Sequence, residues 1–95
     1  MPSYAIDYTG TFKKDYKRLK KRGLPVELLK EAISILSENG SLPPEYKPHK
    51  LSGKYSGKWE CHINGHNSDW LLVWEQNDTE LTLLMLRTGS HSDIF

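Results

Sequence analysis

Three apolar segments, at residues 58–63, 69–75 and 80–87, follow one another with only brief breaks, and those breaks carry Asn64-Gly65 and Asn77-Asp78. Turn-forming pairs between strand-length apolar runs read as an antiparallel meander. The first half of the chain then has to cover that sheet. Tyr4-Ala5-Ile6-Asp7-Tyr8 is rich in strand formers, and Thr9-Gly10-Thr11 offers a turn and an N-cap for a helix.

Phe12, Tyr16 and Leu19 recur at helical spacing, and Gly23 stops that helix. Pro25 sits where a first-turn proline is tolerated, and Val26, Leu29, Ile33 and Leu36 form a second helical stripe that ends at Asn39-Gly40. The proline-containing stretch 41–48 reads as a loop. No internal repeat, low-complexity tract or linker interrupts the 95 residues. The expectation is one α+β domain over 1–95, with two N-terminal helices packed on one face of a small, mainly antiparallel sheet. That sheet has about four strands, in the chain order β-α-α-β-β-β.

A hydrophobic fraction of 37% and a charged fraction of 26% fit a globular chain rather than a disordered one. No apolar run approaches the roughly 20 residues of a membrane span, and no signal-peptide core opens the chain, so a cytoplasmic protein without a membrane partner is expected. The one cysteine, Cys61, rules out an internal disulfide and a cysteine-based zinc site.

Net charge is only +1, yet seven of the thirteen Lys and Arg residues lie within 13–22: Lys13, Lys14, Lys17, Arg18, Lys20, Lys21 and Arg22. One acid, Asp15, interrupts them. Such a stripe is an electrostatic footprint for phosphate, or else a solvated helix face, and the run alone does not choose between the two.

The chain closes on Arg87-Thr88-Gly89-Ser90-His91-Ser92-Asp93-Ile94-Phe95. A guanidinium, an imidazole and an aromatic ring are the groups that hold a phosphate, move a proton and stack on a base. Register decides what joins them. If Ile63 paired with His66 across a two-residue turn, Glu60 would face Asp69, like charge against like. If instead 64–67 form the loop tip and Ile63 pairs with Ser68, His62 opposes Asp69, Cys61 meets Trp70 and Trp59 meets Leu72. The second register is preferred, because it makes an apolar face and a His–Asp pair together.

Tyr46-Lys47-Pro48-His49-Lys50-Leu51-Ser52-Gly53, Trp59-Glu60-Cys61-His62-Ile63, Asp69-Trp70-Leu71-Leu72-Val73-Trp74 and the Arg-Thr-Gly-Ser-His ending together resemble the YafQ-like branch of the RelE superfamily. These are bacterial mRNA-cleaving toxins of toxin–antitoxin pairs. The resemblance spans nearly the whole chain, and its specificity lies in 46–95. It implies catalytic roles for His49, His62, Asp69, Arg87 and His91, and packing of Phe95 against a substrate base. Lys50 and the stripe from Lys13 to Arg22 would bind substrate. The spacer Asn64-Gly65-His66-Asn67-Ser68 is longer than in relatives, which leaves His66 as a stand-in for His62 or as a plain loop residue.

The reaction that the resemblance implies is metal-independent and needs no cofactor. The ribose 2′-hydroxyl attacks the adjacent phosphorus, giving a 2′,3′-cyclic phosphate and a free 5′-hydroxyl. Arg87 suits the developing phosphorane, its planar fork donating two hydrogen bonds to phosphate oxygens, and His91 suits the general acid. His49 or His62 serves as base, with Asp69 orienting one of them. The implied partners are a cognate antitoxin, the ribosome and its mRNA. DNA would be met only as operator DNA through the antitoxin complex. The competing readings are a non-catalytic RNA-binding or antitoxin-binding module, which leaves the histidines and Asp69 without a purpose, and a metal hydrolase, for which no compact ligand motif is present.

Overall fold

The computed structural model describes residues 3–63 and 68–95. Thr9 caps the first long helix. Its hydroxyl oxygen accepts from Phe12 N at 3.0 Å, and the same hydroxyl donates to Leu86 O at 3.0 Å. Helix α1 (Gly10–Lys21) is therefore tied at its first turn to the last strand, and it buries Phe12, Asp15 and Leu19. Helix α2 (Val26–Asn39) buries the expected stripe of Val26, Leu29, Ile33 and Leu36, together with Ala32.

Gly40 ends α2 in the left-handed region at φ 70°, its N–H donating to Leu36 O at 2.7 Å. A Cβ there would sit 2.6 Å from the Tyr4 ring. That ring cannot swing aside freely, because its hydroxyl donates to Asp78 Oδ1 at 2.6 Å. Gly40→Ala is therefore expected to cost about 1–3 kcal/mol, from left-handed strain plus the clash. In thermal denaturation that means a Tm lower by roughly 4–8 °C for each kcal/mol, and an unchanged Tm would refute the clash.

Strands β1 (Ala5–Tyr8), β2 (His49–Lys50), β3 (Trp59–His62), β4 (Leu71–Asn77) and β5 (Thr82–Gly89) form one sheet in the order β1-β5-β4-β3-β2. Only the β1–β5 pair is parallel. A short helix, α3 (His91–Ile94), comes after β5. The α+β class and element order are as expected, with β2 added as a fifth strand. Two residues next to Pro48 are too short a run for periodicity to register.

The β3–β4 register differs from the expected one. Trp59 opposes Trp74, Cys61 opposes Leu72 and His62 opposes Leu71, so β4 slides by two residues and Asp69 lies outside the ladder. A two-residue shift keeps every side chain on its own face while stacking Trp59 on Trp74, ring centroids 6.1 Å apart and planes 12° off parallel. Ile63 N donates to Trp70 O at 2.7 Å and so continues that register toward the turn. The loop tip at 64–67, and with it His66, lies outside the described residues.

Alternation along β4 gives the sheet two covered faces. Leu72 and Trp74 join Cys61, Ile63, Leu83 and Met85 beneath α1 and α2. Leu71 and Val73 point the other way, against Ile94 of α3 and against Leu51, Tyr55 and Leu86. This is why 71–74 reads as an unbroken apolar run, since all four residues are buried. The second face is only partly roofed, and it is the face that carries Glu60 and His62. Among the described residues no helix is long and apolar enough to cross a membrane.

Candidate active site

Because Trp59, Cys61 and Ile63 pack under the helices, the residues between them, Glu60 and His62, face the other way. Edge strand β2 sets His49 directly opposite Glu60. His49 Nδ1 donates to Lys47 O at 2.9 Å, which leaves Nε2 facing Glu60 Oε1 at 3.2 Å. Glu60 is only 4% exposed.

His62 is fixed by a different contact, its Nδ1 donating to Ser68 O at 2.8 Å. Asp69 pairs neither with His62 nor with His49. Its Oδ1 lies 2.6 Å from His91 Nδ1 and 3.2 Å from His91 N, so it anchors both the ring and the start of α3. That hydrogen bond to the His91 side chain holds the Asp69 carboxyl below its ordinary range. It also leaves His91 Nε2 turned away from its anchor. The His91 ring stands 6.4 Å from the His62 ring and 6.0 Å from Phe95, and Phe95 meets Tyr55 edge-on at 5.6 Å. Phe95 is 56% exposed, as a stacking surface must be.

Arg87 opposes Val73, which opposes Glu60, so His49, Glu60, Val73 and Arg87 form one row across four strands. The β4–β5 pairing is irregular between Val73 and Trp74, leaving Leu86 as an extra residue that re-aims the end of β5. Arg87 thereby reaches α1, donating from Nε to Asp15 Oδ2 at 2.7 Å and from Nη2 to Asp15 Oδ1 at 3.2 Å. This pairing raises its pKa above the ordinary arginine value. One fork edge of Arg87 is thus already spent on Asp15, which leaves Nη1 for the two hydrogen bonds expected toward phosphate.

The remaining candidate residues divide. Lys13, Lys14, Lys17, Lys20 and Lys21 are exposed along α1. Arg18 is drawn toward Asp15, with Nη1 to Oδ1 at 3.0 Å, and Arg22 Nη1 lies 3.8 Å from Asp93 Oδ2. Lys50 does not join the histidines. Its Nζ sits 5.7 Å from the centre of the Trp59 ring, which packs on the helical side of the sheet. Cys61 is buried beneath the helices, which pushes its thiol well up and leaves no thiolate for chemistry. No group of three His, Cys, Asp or Glu side chains among the described residues is arranged to hold a metal.

Residues 4–95 match the model of a bacterial toxin of type II toxin–antitoxin systems, YafQ. The chain belongs to the YafQ family. It is 34% identical over 91 residues to the mRNA interferase toxin YafQ of Escherichia coli, covering 95% of this chain and 94% of that one. Its fold is similar to YafQ in the crystal structure of the Escherichia coli DinJ-YafQ toxin–antitoxin complex, with a TM-score of 0.85 and 33% identity over 98% of each chain. A metal-bound toxin from Helicobacter pylori is similar as well, with a TM-score of 0.84 and 37% identity over 97% of this chain and 99% of that one.

Within this YafQ-family fold, sequence reasoning passed over two acids. Glu60 carried a signal: two residues before His62 on a strand, it had to share that histidine's face. Asp15 carried one as well, since its spacing from Phe12 and Leu19 places it on the buried side of α1 rather than among the lysines.

Proposed function

We propose that this toxin is a metal-independent endoribonuclease that cleaves mRNA in the ribosomal A site and is held inactive by a cognate antitoxin. The observation that carries the reading is the convergence on one sheet face of a closely set Glu60–His49 pair, an Asp69-anchored His91 beside His62, and Phe95. A free imidazole nitrogen, a carboxylate and an aromatic platform are what transfer to a 2′-hydroxyl requires. The activity of the Escherichia coli relative and the antitoxin in the DinJ-YafQ complex support it.

In this scheme the Glu60 carboxylate, steadied by His49, takes the 2′-hydroxyl proton as the 2′ oxygen bonds to phosphorus. His91 gives the proton on Nε2 to the departing 5′ oxygen as the phosphorus–oxygen bond breaks, with Asp69 stabilising the imidazolium that donates it. Arg87 faces the phosphorane charge, and Phe95 stacks on a base. His49 turns Nδ1 to Lys47 O and Nε2 toward Glu60 rather than toward open solvent, which favours Glu60 over His49 as the base. The His62 ring, 6.4 Å from the His91 ring, contributes to phosphate binding.

The test is inducible expression in bacteria with primer extension on a cellular message. Expected are sharp cuts, resistant to a chelator in lysate, that vanish when translation initiation is blocked and when antitoxin is co-expressed. Cuts that need added divalent metal would replace this mechanism with a metal-assisted one.

The α1 lysines are assigned to ribosomal RNA. Arg18 and Arg22 are engaged with acids, so the charge reversal that isolates recognition is Lys13→Glu with Lys17→Glu and Lys21→Glu. Ribosome co-sedimentation should weaken at least tenfold and lose much of its salt dependence, because each phosphate contact contributes to the slope. Unchanged sedimentation would make the stripe a solvated face.

A further inference from the structure

Asp15 is the lone acid in the basic stretch, and at 2% exposure it is buried beneath it. Its two oxygens accept four hydrogen bonds: Arg87 Nε at 2.7 Å and Nη2 at 3.2 Å, Arg18 Nη1 at 3.0 Å, and Thr88 N at 3.2 Å. That fills the acceptor capacity of a carboxylate. We propose that Asp15 is a positioning residue for catalysis, holding the Nε–Nη2 edge of Arg87 so that the toxin offers phosphate only the Nη1 corner of the guanidinium.

Three features of the cluster argue for orientation rather than stability alone. Buried ion clusters contribute little net stability compared with apolar packing of the same volume, whereas they hold geometry closely. The same carboxylate fixes both the Arg87 side chain and, through Thr88 N, the next stretch of backbone, just beyond the strand irregularity that re-aims this segment. And Arg87 Nη2 also donates to Asp93 O at 3.1 Å. Asp93 closes the capping box of α3 with Ser90, and α3 begins with His91. The guanidinium and the general acid are therefore set relative to each other through one buried anchor on α1. The guanidinia of Arg18, Arg22 and Arg87 set against the carboxylates of Asp15 and Asp93 leave one net positive charge, so the anchor does not cancel the charge that phosphate meets.

This role for Asp15 rests on the proposed ribonuclease activity, so the test begins with wild-type toxin cleaving message on programmed ribosomes. Absence of that cleavage would count against the activity, not against Asp15. With cleavage in hand, single-turnover rates are compared for Asp15→Asn, Arg87→Ala and the double variant, below the melting temperature of each. Asp15→Asn should lower the maximal rate by up to about 10²-fold, the scale of a small misplacement, while the half-saturating concentration moves little. In the Arg87→Ala background it should change the rate less than about twofold, because its target is gone. A full-sized loss in that background, or wild-type cleavage by Asp15→Asn alone, overturns the assignment.

Should Asp15→Asn not fold, the wild-type toxin labelled with ¹⁵N-arginine still decides. The Arg87 Nε–H should exchange with water far more slowly than those of exposed arginines. Exchange as fast as theirs would show that the anchor does not hold.

Discussion

His91→Gln should leave the toxin folded and lower its single-turnover cleavage rate by about 10²- to 10⁴-fold. Glutamine can keep a hydrogen bond to Asp69 and so preserve the start of α3, but it has no proton to deliver at neutral pH. The ring it replaces is exposed, anchored at Nδ1 by Asp69 at 2.6 Å, and open at Nε2. Asp69→Asn should cost less, because it weakens the anchor without removing the acid. The anchor also has a pH signature. Its carboxyl is held below the ordinary range, so its contribution is fully present above the unfolded carboxylate pKa and is lost as pH falls through the lower folded value. Above about pH 5 the Asp69–His91 tie should therefore be intact, and the protection of amides at the start of α3, taken relative to their intrinsic exchange rates, should fall only in more acidic solution. Normal cleavage by a folded His91→Gln toxin would remove His91 from the acid role.

Much of the fold was legible because the chain states it locally. Thr9 caps α1, Val26, Leu29, Ile33 and Leu36 mark the buried side of α2, and Gly40 stops that helix in a left-handed turn. A turn just after Asn77 separates the last two strands. Two features were not legible, and both depend on contacts distant in sequence. Strand β2 exists only because β3 offers an edge to residues just after Pro48. The β3–β4 register turned on a comparison of pairings, and counting a His62–Asp69 contact as the deciding gain missed the larger one, Trp59 stacked on Trp74. Polar pairs near a hairpin end are weak guides to register compared with large apolar ones.

The site was legible as a set of residue types and only partly as a set of contacts. His49, His62, Arg87, His91 and Phe95 do project from the same side of the sheet or its closing turn, whereas Lys50 turns to the opposite face and Asp69 serves His91 instead of a β3 or β2 histidine. The charge stripe on α1 concealed its own exception. A bare count of seven cations treats Arg18, Arg22 and the five lysines alike, yet the two arginines lean on acids and the lysines face solvent. What sequence could not supply was which acid each cation meets, because Asp15 and Arg87 are separated by 72 residues.

Glu60→Gln carries the other large expected effect, a loss of about 10²- to 10⁴-fold in cleavage rate with the fold preserved. Gln is nearly isosteric and can keep a polar contact with His49, so the stability change should stay within about 1 kcal/mol. Its amide, however, cannot take a proton from a 2′-hydroxyl. The comparison that makes the result informative is His62→Gln, since His62 shares the Glu60 face two residues along β3 and keeps Nε2 available. Loss with Glu60→Gln and a milder effect with His62→Gln place the base at the Glu60–His49 pair. The reverse order, in variants of equal thermal stability, would make His62 the base and reduce Glu60 to a buried partner that steadies the edge strand through His49. Geometry favours the first outcome. A carboxyl 4% exposed and paired with one imidazole is costly to bury for stability alone, and it sits in the row that ends at Arg87.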